Sequence, residues 1–450
     1  MKVIIIGAGD VGFVAAETIC DGNEVLVVER DQTVANTLKS RLNVAVLEED
    51  GTNPRSLEYA MTTHGADVLI STLHSDSDNL FVCMMAKRLD PKVRTVATVD
   101  NPDYIIATSA EGAEGVDVII SPDLVIAEKM YMLCVLENAV EFEAVEGVDA
   151  CFAAFKVERG HQVVGKVVMH LSVPEGCTVF AIDRDGETIT EPETVEIHVG
   201  DRICVFGSRE AVRSFNGIMG VESVAREICI LGGSVIGLNL AKMLLKDREK
   251  RYVKVIDDDA GNCAVLNRVL NGVSIIDADY TDPDVQRVEN VFKADATVST
   301  SRKDDTNLLV CMSSKMHDAR KVIARFFMRE YEEIFKFTEL QTIIGYDRVV
   351  SNEIAKSLVT QPGTVPRLQT SNGVFFSHAV DSESRMRGRY VGDLNPPEGL
   401  RFVAILRDGA LTYPRLDTEV LEGDSIVMFS TFHRQSELER ILGKIIAMRQ

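Results

Sequence analysis

A run of four apolar residues, Val3 to Ile6, leads straight into Gly7-x-Gly9-x-x-Gly12 and then into a helix-length segment. Glycines at this spacing suit a phosphate. The first permits a tight turn, the second lets an anion approach the backbone, and the third lets the helix pack close to the strand. The helix N-terminus that opens there offers free N–H groups and the positive end of its dipole. Glu29 closes the next apolar run, 22 positions after Gly7. Its carboxylate can accept from both ribose hydroxyls and would repel a 2′-phosphate. NAD or a plain adenine nucleotide is therefore favoured over NADP, although Arg30 beside it weakens that exclusion. The competing reading is a glycine-rich turn with no ligand.

The pattern is written a second time. Gly232-x-Ser234-x-x-Gly237 follows Ile228–Leu231, and Asp257 ends the next run. Ser234 puts a side chain where backbone should meet pyrophosphate, so this copy is either a weaker site or a fold-only relic. The adjacent run Asp257-Asp258-Asp259 reads as a solvated ribose loop rather than a cation site.

The elements that must position these loops are duplicated as well. Gly7 and Gly12 match Gly232 and Gly237 at an offset of 225, and Glu29 matches Asp257 at 228. Asp50 matches Asp279 at 229, and the two segments beginning ADVLIST and ADATVST match at 228. PEGCTVFAIDRDG and PEGLRFVAILRDG lie 223 apart. Such drift needs only small loop insertions, so the chain is an internal repeat. Within each half, β-branched runs alternate with helix-length segments, which predicts a parallel sheet covered on both faces. Short strands with Gly-rich turns follow and predict a small α+β unit. The expected fold is α/β: two Rossmann-like, doubly wound parallel-sheet domains, each followed by a small α+β domain. The expected boundaries are 1–140, 141–224, 225–362 and 363–450.

Composition excludes several classes. The formal net charge is −21, which argues against nucleic acid as the main partner and against broad adsorption to anionic lipid. The longest uncharged stretch, Ile228 to Ala241, contains three glycines and is shorter than the roughly 20 apolar residues of a spanning helix. The N-terminal apolar run is too short for a signal peptide and reads as a buried strand. Nine cysteines, most of them inside apolar runs and with no C-x-x-C pair, read as buried free thiols in a reducing cytoplasm, with no zinc site.

A dehydrogenase would share the glycine loop but would also need an acid/base and a substrate clamp. His74, two residues after Thr72, is replaced by Arg302 in the second copy and reads as a surface-loop histidine. The small domains carry no nucleophile or metal motif. The residues therefore favour binding without turnover, and no catalytic residue is assigned.

Together, IIIGAGDVG with VVERD, EEDGTNP, DVLISTLHSDSDN, VATVDNPDY and the tandem duplication resemble the TrkA family. Its members are cytoplasmic regulatory subunits of bacterial and archaeal Trk potassium uptake systems. They are built from RCK units, the regulators of potassium conductance, each a KTN plus a TrkA-C domain. The resemblance covers nearly the whole chain. It implies a nucleotide-sensing subunit that gates a membrane potassium transporter or channel by binding NAD(H) or ATP/ADP. It also implies an integral-membrane potassium-translocating partner, a homotetramer, and a peripheral place on the inner face of the cell membrane. A nucleotide-sensing subunit of another ion channel is the nearest alternative.

Carried onto this sequence, the resemblance implies that Gly7, Ala8, Gly9, Asp10, Val11 and Gly12 wrap the phosphates and Glu29 holds the adenine ribose. Asp50 would flank the adenine, with Thr72 and Leu73 lining the strand ends. The second site would use Gly232, Gly233, Ser234, Gly237, Asp257, Asp279 and Thr300. One further position departs from the family: its Ala-Arg after the fifth strand is Ala97-Thr98 in the first copy and Ala324-Arg325 in the second. The first site thus has the full loop without the arginine, and the second has the arginine without the full loop. The two are expected to differ in ligand or affinity.

Overall fold

The computed structural model describes residues 1–105, 115–145, 149–220, 225–338, 340, 342–359, 364–432, 438 and 440. The first apolar runs form β1 (Lys2–Ile6), β2 (Glu24–Val28), β3 (Ala45–Leu47), β4 (Val68–Ser71), β5 (Arg94–Thr98) and β6 (Val118–Ile120). They make one parallel sheet in the order β3-β2-β1-β4-β5-β6. The connecting helices are α1 (Asp10–Ile19), α2 (Gln32–Arg41), α3 (Pro54–His64) and α4 (Asp76–Leu89). Val3 to Ile6 are fully buried, as a central strand covered on both faces must be. The strand order reverses between β1 and β4. That point is where open α/β sheets leave a crevice at the carboxyl ends of their strands.

Helix α5 (Pro122–Val135) leads to β7 (Ala139–Val145), β8 (Ala150–Lys156), β9 (Cys177–Arg184), β10 (Glu187–Ile189) and β11 (Arg202–Gly207), then α6 (Arg209–Ile218). These five strands form an antiparallel sheet, β10-β9-β11-β8-β7.

The second half repeats this. Strands β12 (Glu227–Leu231), β13 (Tyr252–Asp257), β14 (Val273–Asp277), β15 (Ala296–Ser299), β16 (Val322–Phe326) and β17 (Thr342–Gly345) pair in parallel as β14-β13-β12-β15-β16-β17. Helices α7 (Val235–Lys246), α8 (Ala260–Val269), α9 (Pro283–Val288), α10 (Asp304–Met316) and α11 (Glu332–Phe337) connect them. After α12 (Tyr346–Ser357) come β18 (Leu368–Gln369), β19 (Val374–Ala379), β20 (Leu400–Arg407), β21 (Ala410–Thr412) and β22 (Ser425–Ser430). Their order is β18-β19-β22-β20-β21, antiparallel. The α/β class with two doubly wound parallel sheets and two small sheets is therefore as the sequence led us to expect.

By internal contacts the chain forms two compact units, Met1–Ile126 with Tyr346–Leu358, and Ala127–Gly345 with Val359–Gln450. In the first unit, α12 from the second repeat packs on α1, with the Thr18 hydroxyl donating to Ser351 Oγ at 2.9 Å. Arg94 Nε at the start of β5 donates 2.8 Å to the carbonyl of Ser357, at the C-terminus of α12. A basic group there meets the open carbonyls and negative dipole end of the helix.

In the second unit Lys321, just before β16, does the same for α5. Its ammonium reaches the carbonyls of Leu133, Leu136, Glu137 and Ala139 at 2.5–3.1 Å. Burial pulls its pKa down to about 8.

The same unit holds both small sheets, and they share one core. Phe152, Phe180 and Phe206 meet Phe375 and Phe429, with ring centroids 4.9–5.9 Å apart. Polar ties across this core are reciprocal. Tyr413 Oη donates 2.5 Å to the Gly176 carbonyl, and Gly399 N donates 3.4 Å to Thr190 Oγ1. Gly176 pairs with Gly399, and Thr190 with Tyr413, at the repeat offset of 223.

Candidate nucleotide-binding clefts

At the end of β1 the chain turns at Gly7, whose φ of +86° is a left-handed conformation that favours glycine. Gly12 is fixed for a different reason. A Cβ there would lie 2.1 Å from the Gly7 carbonyl oxygen and 2.5 Å from Thr72 Oγ1, so the first turn of α1 sits directly on the loop. Gly9 is the N-cap of α1 with an ordinary φ of −62°, and no side chain caps the helix. The first intrahelical bond runs from Phe13 N to Gly9 O, leaving the N–H groups before it without a partner inside the helix.

Glu29 ends up beside this loop. One carboxylate oxygen accepts from Ala8 N at 2.7 Å and the other from Asp31 N at 2.7 Å. The acid thus ties the glycine loop to the turn after β2. Thr72 Oγ1 donates 2.8 Å to the Gly7 carbonyl, so its hydroxyl holds the loop to the end of β4. Asp50 accepts from both the amide and hydroxyl of Thr52, at 2.9 and 2.8 Å. Those bonds, with Arg30 nearby, hold its carboxyl below the usual carboxylate range.

These residues border a cleft of about 500 Å³ at the strand ends, lined by Gly7, Ala8, Gly9, Asp10, Glu29, Asp50, Thr72 and Leu73 among others. Of the expected first-site residues, Val11, Gly12 and Thr98 stand outside that lining. Thr98 is buried at the end of β5 and donates 3.2 Å to the Ser71 carbonyl.

In the second copy Gly232 has a φ of +107°, and a Cβ on Gly237 would lie 2.1 Å from the Gly232 carbonyl oxygen. Thr300 Oγ1 donates 2.7 Å to that carbonyl. Asp257, buried, accepts from the amides of Gly233 and Asp259 and from Asn262 Nδ2. Asp279 accepts from Thr281 Oγ1 at 2.6 Å and Thr281 N at 2.8 Å, which with Lys303 nearby holds its carboxyl low. Ser234 is the N-cap of α7 and its side chain makes no capping hydrogen bond. Arg325 is fully buried within β16. Asp259 caps α8 through Gly261 N and Asn262 N, which accounts for the third aspartate of that run.

Sequence reasoning missed the polar residue that joins the strand ends. Asn79, buried, donates from Nδ2 to the carbonyls of Leu73 and Thr98 at 2.8 and 2.9 Å. Its Oδ1 accepts from Ser71 Oγ and Leu73 N. Asn307 does the same with Ser301, Arg325 and Ser299. Its recurrence at the repeat offset of 228 was the available signal. Asp76 likewise accepts from the amides of Asp100 and Asn101, and Asp304 from those of Phe327 and Met328. His74 is exposed, lines the first cleft, and places Cε1 3.3 Å from where a Cβ of Gly9 would stand.

Uncapped helix start, glycine loop and acid at the end of the second strand define a Rossmann-type mononucleotide fold, present twice. Family models agree: the TrkA-N domain matches residues 3–122 and 228–352, and the TrkA-C domain matches 152–220 and 375–443. The chain belongs to the family of proteins built from TrkA-N and TrkA-C domains in tandem.

It is 29% identical over 443 residues to the Trk system potassium uptake protein TrkA homolog of Archaeoglobus fulgidus, covering 98% of this chain and 100% of that one. It is 27% identical over 449 residues to TrkA homolog 1 of Methanosarcina mazei, covering 98% and 99%. With the TrkA protein of Vibrio alginolyticus it shares 25% over 442 residues, 95% of each chain. The solved RCK domain of GsuK superposes with a TM-score of 0.63 at 16% identity, covering 98% of this chain and 95% of that one. The GsuK channel bound to NAD gives 0.62 at 16% identity, covering 98% and 79%.

Proposed function

We propose that this chain is a nucleotide-sensing regulatory subunit of a potassium transport system, binding NAD(H) or ATP/ADP without turnover. The observation that carries the reading is the first cleft. An uncapped helix start, a glycine loop and the Glu29 carboxylate bonded to that loop together border a space of about 500 Å³. Membership of the TrkA-N/TrkA-C family supports it, as does the naming of full-length relatives as Trk potassium uptake proteins.

In this reading the phosphates lie against Gly7, Ala8, Gly9, Asp10, Val11 and Gly12. The ribose takes Glu29 and the adenine lies toward Asp50, with Thr72 and Leu73 lining the pocket at the strand ends and Thr98 supporting the floor from within the sheet. The second site uses Gly232, Gly233, Ser234, Gly237, Asp257, Asp279 and Thr300, with Arg325 behind them. The four domains are 1–140, 141–224, 225–362 and 363–450. No described helix is long and apolar enough to cross a membrane, which suits a peripheral subunit on the cytoplasmic face of a membrane partner.

Self-association is supported by exposed apolar side chains at matching places on α4 (Phe81, Met84) and α10 (Leu309, Met312), and a tetramer is the assembly the family resemblance implies. A nucleotide that binds two arrangements of such an assembly unequally shifts their balance, and a coupling of about 1–3 kcal/mol gives a 5–150-fold effect. Calorimetric titration of the purified chain with NAD+, NADH, ATP and ADP tests binding. Steady NADH consumption with a physiological substrate would overturn the claim of no turnover.

A further inference from the structure

The lining of the first cleft is electrostatically unlike a general phosphate site. Six acidic residues border it, Asp10, Glu29, Asp31, Glu49, Asp50 and Asp78. Against them stand one arginine, Arg30, and one histidine, His74, among the described residues. Three of the acids are pinned by backbone donors. Glu29 accepts from Ala8 N and Asp31 N, Asp31 from Thr33 N and Val34 N, and Asp50 from Thr52 N. Hydrogen bonds to the ionised form hold Asp31 and Asp50 below the usual carboxylate range, so both are charged at neutral pH. Asp10 sits in the first turn of α1, where its charge takes up part of the dipole that a phosphate would use. The corresponding turn of α7 begins with Val235 and has no acid.

We propose that the first cleft sorts nucleotides by total charge, taking NAD+ ahead of NADH and both ahead of ATP. This rests on the cleft being the nucleotide site. The loop amides act on a pyrophosphate that NAD+ and NADH share, so they do not separate the two. NADH lacks the positive nicotinamide and carries one more negative charge, and ATP carries more again. Repulsion from the carboxylate lining grows with each added charge, and the positive ring of NAD+ is attracted to it. A single like charge about 8 Å away across water at low salt changes affinity roughly 1.5- to 2.5-fold per unit of ligand charge, so several carboxylates together change it roughly 3- to 10-fold. Salt acts in the opposite sense to its effect at a basic phosphate site. Screening relieves repulsion, so the most charged ligand gains most as salt rises.

The test uses the full chain carrying Ser234→Asp, which crowds the second loop and leaves the first cleft to report. NAD+, NADH and ATP are titrated calorimetrically without divalent cations at roughly 0.05 M and 0.5 M sodium chloride, where screening lengths differ about threefold. The expected result is NAD+ tightest by roughly 3- to 10-fold over NADH at low salt, with the gap narrowing and ATP binding tightening at high salt. Adding Asp10→Asn and Asp78→Asn moves the NAD+ to NADH ratio toward one. If Ser234→Asp misfolds, the same salt series on the otherwise unchanged chain, with and without Gly9→Asp, isolates the first-cleft component. Equal or tighter binding of NADH, or parallel weakening of all three ligands by salt, would overturn charge sorting while leaving nucleotide binding intact. Absence of any nucleotide binding at the first cleft would overturn both.

Discussion

Glu29 Oε2 accepts a 2.7 Å hydrogen bond from the amide of Ala8, so the acid expected to meet a ribose also fixes the glycine loop. Asp257 repeats the arrangement with Gly233. One side chain therefore couples the shape of the phosphate cradle to the sugar position. Glu29→Ala should weaken NAD binding by about 1–3 kcal/mol, because a charge-assisted contact and the loop's anchor are lost together. Glu29→Gln should retain part of the loop anchor and lose less. Affinities from calorimetry check this, and an unchanged NAD affinity in Glu29→Ala would contradict it.

Two glycines of the first loop should respond differently to alanine. In Gly12→Ala the new methyl meets the Gly7 carbonyl at 2.1 Å, so α1 must shift, at a cost of about 1–3 kcal/mol or more. Gly9 has φ −62° and its new methyl meets only His74 Cε1, at 3.3 Å, on an exposed side chain that can move. Thermal unfolding should show a clear loss for Gly12→Ala and little change for Gly9→Ala.

Lys321→Met removes an ammonium that serves four backbone carbonyls at the end of α5. With its pKa lowered to about 8, the group is still mostly protonated at pH 7. Its loss leaves those carbonyls buried without their donor and should destabilise by roughly 3 kcal/mol or more. Arg94→Met removes a single bond to Ser357 and should cost about 1 kcal/mol. Denaturant midpoints of the two variants measure the difference.

Phe375→Ala opens the core shared by the two small sheets. Its ring touches Phe152, Phe180, Phe206 and Phe429, so truncation should cost about 3–5 kcal/mol. Because the core is common, amide exchange should accelerate in β8, β9 and β11 as well as in β19 and β22. Acceleration confined to β19 and β22 would mean that the sheets are energetically separate.

Much of this was legible in the sequence, because it rests on local signals. Gly7 and Gly12 mark the turn and the close helix, and the repeat offsets place Glu29 and Asp257 at equivalent strand ends. What escaped depends on which surface covers which. Helix α12 buries Ser351, Asn352, Glu353 and Lys356 beside Val349, Val350 and Ile354, and nothing in that mixed pattern says that α1 is the neighbour. Phe375 and Phe152 read as core positions of separate small domains, since alternation specifies a buried face and not what lies against it. Asn79 and Asn307 look like ordinary helix-start residues until the ends of β4 and β5 are brought within reach of their amides. Arg325 reads as a residue able to reach a phosphate, and its complete burial in β16 is not marked by its sequence neighbours.

The most direct test of the account is calorimetric titration of the purified chain with NAD+, NADH, ATP and ADP, repeated after Gly9→Asp and after Ser234→Asp. Both substitutions fall at N-cap positions with ordinary φ angles, −62° and −64°, so each puts a carboxylate into a cradle without forcing the loop. The account predicts nucleotide binding by the unmodified chain, loss of the NAD component in Gly9→Asp, and loss of a different component in Ser234→Asp. Undiminished binding of every nucleotide by both folded variants would contradict the placement of the ligands. Identical losses from both would contradict the inequivalence of the two sites.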